Sequence, residues 1–116
     1  MKSLTKTKIL FAIILQLLIF SAANAQSLVR ISGIVKDKNT KVSLPFVNIV
    51  LKTEKDSIFV SGTATNEDGR FSLSKIKSGN YYLEFTYLGY STKKQPLFVG
   101  NLTEYLGINS AIERQK

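Results

Sequence analysis

Between Val60 and Phe71 the chain reads as strand, tight turn, strand. Val60, Gly62 and Ala64 form a small alternating run, a polar cluster closes on Asp68-Gly69, and Phe71 restarts the apolar pattern. Asp-Gly between two alternating runs is a strong hairpin signal, because glycine takes the positive φ that a tight turn needs at no steric cost. Asn66, Asp68 and Gly69 are therefore expected to form a structural turn. The hairpin is expected mid-sheet, with Phe71 pointing inward and Arg70 outward.

The same period of two recurs on both sides. Val29, Ile31, Gly33 and Val35 alternate with Arg30, Ser32, Ile34 and Lys36, followed by the turn cluster Asp37-Lys38-Asn39-Thr40. Phe46 to Leu51 reads as a second strand entered through Pro45, Lys52 to Asp56 as a charged turn, and Ser57 to Thr65 as a third strand. Phe71 and Leu73 make a short fourth strand, with Ser74 to Gly79 a loop plugged by Ile76. Asn80 to Leu88 is the clearest strand, placing Tyr81, Leu83, Phe85 and Tyr87 on the core face and Tyr82 and Glu84 on the other. A bend is expected at Gly89. Ser91 to Val99 carries Lys93, Lys94 and Pro96, the marks of an edge strand. Thr103 to Ile108 reads as a seventh strand, and the polar segment after Asn109 is expected to fray. No window beyond the first 25 residues has sustained helical periodicity. The expectation is all-β: seven strands forming an antiparallel β-sandwich or small barrel.

Those first 25 residues have another character. Lys2, Lys6 and Lys8 precede an apolar run from Ile9 to Phe20, and Ala23-Asn24-Ala25 supplies a small-x-small cleavage pattern. The apolar run falls short of the ~20 residues a spanning helix needs. A cleavable signal peptide over residues 1–25 is favoured over an uncleaved anchor, with the mature chain starting at Gln26 and no lipid-acceptor cysteine after it. The expected division is signal peptide 1–25, β-sandwich 26–109 and polar tail 110–116. Without the three leader lysines the formal net charge falls from +8 to about +5. The remaining lysines are scattered, with no run longer than Lys93-Lys94, so nucleic-acid binding is not expected.

Composition also limits chemistry. The chain has no His and no Cys, which removes disulfides, the common nucleophile–base pairs and zinc sites built on those residues. Its eight acids fall mostly in expected turns, and no pair is spaced for acid–base work. Asn66-x-Asp68-Gly69 overlays part of a calcium loop. However, Ala64 stands where the first Asp belongs and Lys75 where the bidentate Glu belongs. No metal or other cofactor is expected. Asn101-Leu102-Thr103 fits the N-glycosylation pattern, a three-residue match that is given no weight.

Five segments in order, Ile31-Ser32-Gly33-Ile34-Val35-Lys36-Asp37, Leu44-Pro45-Phe46-Val47-Asn48-Ile49, Gly62 to Phe71, Ser78-Gly79-Asn80-Tyr81-Tyr82-Leu83 and Tyr87-Leu88-Gly89-Tyr90, closely resemble the carboxypeptidase regulatory-like domain. The resemblance covers about Leu28 to Val99. It departs at Asn66, where the family usually has Asp, and at Lys77, where it usually has Pro. It implies a transthyretin-like sandwich without peptidase activity. It also implies the setting in which such domains follow a signal peptide, ahead of the plug and barrel of TonB-dependent outer-membrane receptors in Bacteroidota. On that resemblance the chain is expected to be an exported, non-catalytic accessory or docking module in the periplasm or on the periplasmic face of the outer membrane. It is either free-standing or the N-terminal part of a receptor. Its partners would be a protein or the receptor domains that follow, with membrane association through them. The alternative is a carbohydrate-binding module of similar fold, using Tyr82 and Tyr90 as an aromatic platform.

Overall fold

The computed structural model describes residues 2–23, 28–101 and 104–116. The expected leader forms helix α1 (Lys2–Ala23). Among the described residues no helix is long and apolar enough to cross a membrane. The cleavage pattern at Ala25-Gln26 lies outside the described residues, as do Leu102 and Thr103 of the glycosylation pattern.

Seven strands follow: β1 (Val29–Asp37), β2 (Asn48–Thr53), β3 (Phe59–Ala64), β4 (Arg70–Ile76), β5 (Gly79–Thr86), β6 (Lys93–Val99) and β7 (Tyr105–Ile112). They make two sheets, one ordered β4-β1-β7 and the other β3-β2-β5-β6. The inward positions named by the alternation meet between the sheets. Val29, Ile31, Val35, Phe71 and Leu73 come from one sheet; Ile49, Leu51, Tyr81, Leu83 and Phe85 come from the other. Phe71 and Phe85 meet edge-to-face across the layers, centroids 6.2 Å apart. The β-sandwich, the inward Phe71 and the edge position of β6 all agree with the sequence reading.

Three expectations are corrected. First, the sheets are not purely antiparallel: β1 pairs β7 in parallel from Arg30–Tyr105 through to Asp37–Ile112. Parallel neighbours need a long crossover, and here it is almost the whole domain. Second, β7 does not stop at Ile108, and the segment after Asn109 is not a frayed tail. Ser110 and Ile112 are buried, Ile112 to 1 % exposure, and the backbone of 113–115 bonds to that of 89–91 through Ser91 N–H to Glu113 O and Gln115 N–H to Gly89 O, both 2.9 Å. Third, β3 and β4 are not paired mid-sheet. Each is the edge of a different sheet, so the Gly62–Phe71 stretch carries the chain from one layer to the other.

Two smaller differences concern strand ends. β2 begins at Asn48 because Pro45 and Phe46 form a turn, with Phe46 at φ 59. β4 runs on to Ile76 through a bulge where Lys75 takes φ 59, and this lets Ile76 plug the core as expected. Close approach, rather than flexibility, explains Gly33. A Cβ there would collide with the Ile108 carbonyl of β7 and stand 2.9 Å from the Phe71 ring.

Candidate functional site

The Asn66–Gly69 turn is built by Asn66. Its Oδ1 accepts from the N–H groups of Asp68 (2.9 Å) and Arg70 (3.0 Å), and its carbonyl accepts from Gly69 N–H at 3.0 Å. Asp can supply the same two acceptors, so the departure from Asp at this position leaves the turn intact. Gly69 has φ 76, and a Cβ on it would stand 2.9 Å from both the Val35 carbonyl and Ser43 Cβ. Just upstream, buried Thr65 donates its hydroxyl to Leu44 O at 2.7 Å and accepts from Val47 N–H at 2.8 Å. The stretch is thus a corner clamp between layers. Asp68 contributes its backbone N–H to it. Among the described residues no cluster of acids or other metal-ligating side chains is formed. The other departure, Lys77, presents its carbonyl to Tyr81 OH at 2.7 Å, a bond that does not depend on the side chain.

A second polar constellation joins residues far apart in sequence. Asp37 is 3 % exposed; its Oδ1 accepts from the N–H groups of Asn39 (2.8 Å) and Thr40 (3.0 Å), and its Oδ2 from Tyr90 OH at 2.6 Å. The Tyr90 hydroxyl, with help from those N–H groups, holds the Asp37 carboxyl down from the usual 3.8 to about 2. The Arg114 guanidinium lies 5.7 Å from the Tyr90 ring centroid. Asp37 is therefore not a solvated turn acid. The signal was present in the sequence, since the alternation of β1 places position 37 on the inward face. Every donor around the carboxylate serves the fold, and the arrangement holds the C-terminal segment onto the bend at Gly89.

Tyr82 and Tyr90 are not brought together. Tyr90 packs in the core at 9 % exposure with its hydroxyl on Asp37. Tyr82 stands on the outer face of the four-stranded sheet, beneath Lys94, whose Nζ is 5.6 Å from the ring centroid. A shared aromatic platform is not formed.

One concave surface, a depression of about 680 Å³, lies on the outer face of the other sheet and is also lined by Thr63 and Ala64 of β3. The register sets out its grid. Arg30 pairs with Tyr105, Ser32 with Ser72 and Gly107, and Ile34 with Arg70 and Asn109. Arg30 Nε donates to Ser72 Oγ at 2.9 Å, and Ser32 Oγ donates to Tyr105 OH. None of the lining residues is acidic. The sequence reading missed this face because its residues come from three separate strands. The visible clue was Tyr105-x-Gly107, an outward aromatic two positions before a glycine on the same face, over which its ring lies.

Solved structures share the sandwich. The backbone protein of the group B streptococcus pilus 2b is 19 % identical over 75 % of this chain and 41 % of its own length, with a TM-score of 0.59. The 5-hydroxyisourate hydrolase of Klebsiella pneumoniae is 15 % identical over 76 % of this chain and 92 % of its own, at 0.58. The catechol 1,2-dioxygenase of Pseudomonas arvilla is 7 % identical over 80 % of this chain and 54 % of its own, at 0.63. Identities this low carry the fold alone, and a pilin and two kinds of enzyme use it for different ends. No curated protein matches the chain by sequence. Residues 31–114 match the family model described as the CarboxypepD_reg-like domain, a span that takes in both sheets and the anchored C-terminal segment, and the chain belongs to that family.

Proposed function

We propose that the protein is a non-catalytic, exported accessory or docking module of the cell envelope, associated with TonB-dependent outer-membrane transport. The observation that carries this reading is the family match across residues 31–114, behind a basic and then apolar leader. Two further features support it. Among the described residues the buried carboxylate is Asp37, whose two oxygens accept from Asn39, Thr40 and Tyr90 and which is 3 % exposed, so it is committed to the fold rather than presented to a substrate. Edge strands β3 and β6 offer backbone groups to a partner, with the exposed Phe59 and Phe98 beside them.

The test is expression of the full chain with a C-terminal tag in a Gram-negative host. Export predicts a mature N-terminus at Gln26 and recovery from the periplasmic or outer-membrane fraction. Docking predicts that the purified protein crosslinks to a TonB-dependent receptor through residues of β3 or β6. Cytoplasmic retention of the uncut chain would overturn the export reading. Hydrolysis of peptide or glycan substrates that is lost on acid-to-amide substitution would overturn the non-catalytic one.

A further inference from the structure

The outer face of the three-stranded sheet is organised as a binding surface. Tyr105 is 61 % exposed, and its ring lies over Gly107: a Cβ there would be 3.5 Å from Tyr105 Cε1 and 3.9 Å from its hydroxyl oxygen. The hydroxyl is pinned by Ser32. The ring is therefore held against the sheet while remaining open to solvent. Arg30, beside it on β1, is fixed through Nε by Ser72, which leaves its terminal nitrogens for a ligand. Arg70 stands on the far side of the depression, across Ser32 and Ser72, and its side chain makes no hydrogen bond or ion pair among the described residues. Asn109 and Asn66 add neutral polar groups at the margins.

We propose that this depression binds an acidic oligosaccharide, one carrying carboxylates on its sugar rings. Charge complementarity selects an anion: two guanidinium groups line the surface and no carboxylate does. Arginine recognises carboxylate through paired N–H donors. The exposed Tyr105 ring selects a ligand with a flat C–H face, which a sugar ring offers and an inorganic anion does not. Serine and asparagine side chains suit a hydroxyl-rich partner. An acidic peptide fits less well, because β-proteins hold extended peptides through backbone bonds at sheet edges. On this face the backbone groups of β1 are already bonded to β4 and β7. The proposal is independent of the transport reading, since the surface lies within the sandwich itself.

Calorimetric titration of the purified full chain with trigalacturonate tests it. Neutral galactotriose and a polyglutamate peptide are the comparison probes. Saturable binding of trigalacturonate is expected, weakening with ionic strength, with little binding of either comparison probe. Arg30→Gln, Arg70→Gln and Tyr105→Ala should each weaken it about tenfold or more while leaving the protein folded with at most a small shift in melting temperature, since the bonds lost at Arg30 and Tyr105 are exposed ones. Tyr105→Phe, which keeps the ring, should retain most of the affinity. Absence of saturable binding, or binding unaffected by Arg70→Gln in a folded variant, would overturn the proposal. Equal or tighter binding of polyglutamate would replace the saccharide with an acidic peptide, and equal binding of galactotriose would remove the arginines from the account.

Discussion

At the scale of single residues, the fold rests on polar clamps as well as on apolar alternation. Asp37 illustrates the first kind. Its carboxyl is held near 2 in the folded protein against 3.8 when free, so its contribution is fully present above about pH 4 and is lost as the pH falls towards 2. The melting temperature should drop across that window. Asp37→Asn should lower it at pH 7 and flatten its acid limb, as measured by thermal scans from pH 2 to 7. Thr65→Val keeps the side-chain volume but leaves Leu44 O and Val47 N–H without their hydroxyl partner, which should cost about 1–3 kcal/mol by urea denaturation. Gly69→Ala adds a Cβ at φ 76 against the Val35 carbonyl, and a loss of roughly 1–3 kcal/mol is expected from the same measurement. Gly69 was legible in the sequence as a turn glycine. The bonds joining Thr65 to Leu44 and Val47 and Tyr90 to Asp37 were not, because those partners lie 18 to 53 positions apart along the chain.

At the scale of elements, strand identity was written in the local pattern and strand partnership was not. β5 shows every inward and outward position correctly from Tyr81 to Phe85, because alternation is a local consequence of the pleat. β7 shows the opposite case. Its second half, Asn109-Ser110-Ala111-Ile112, reads as the start of a fading polar tail. Yet parallel pairing with β1 buries Ser110 and Ile112, and Ser110 bonds its hydroxyl to Gln95 Oε1 at 2.9 Å. Ile112→Ala should therefore destabilise the domain by about 2–5 kcal/mol, a core-sized effect where a frayed tail would show none. Chemical denaturation decides between them. The Lys93 and Pro96 positions on β6 did signal an edge correctly, because a missing N–H is tolerated where no further strand pairs and lysine is a common guard of such edges.

At the scale of the molecule, the two sheets enclose one apolar core without disulfides. Among the described residues there is no cluster of side chains able to hold a metal. EDTA should then leave the melting temperature unchanged, and a fall on chelation would show a metal-dependent fold. The sequence by itself determined most of the strand content, the turn at Asn66–Gly69, the inward faces of β1, β4 and β5 and the family resemblance. The first three depend on residues within a few positions of one another, and the resemblance on the order of five such short segments. Only the tertiary structure decided that the Gly62–Phe71 stretch crosses between layers, and that β7 lies parallel beside β1. It alone decided that Tyr90 is spent on Asp37, and that Arg30, Arg70 and Tyr105 share one surface. Those outcomes depend on which strands become neighbours. Neighbours are chosen by the burial of the whole core, a property no short window of sequence contains.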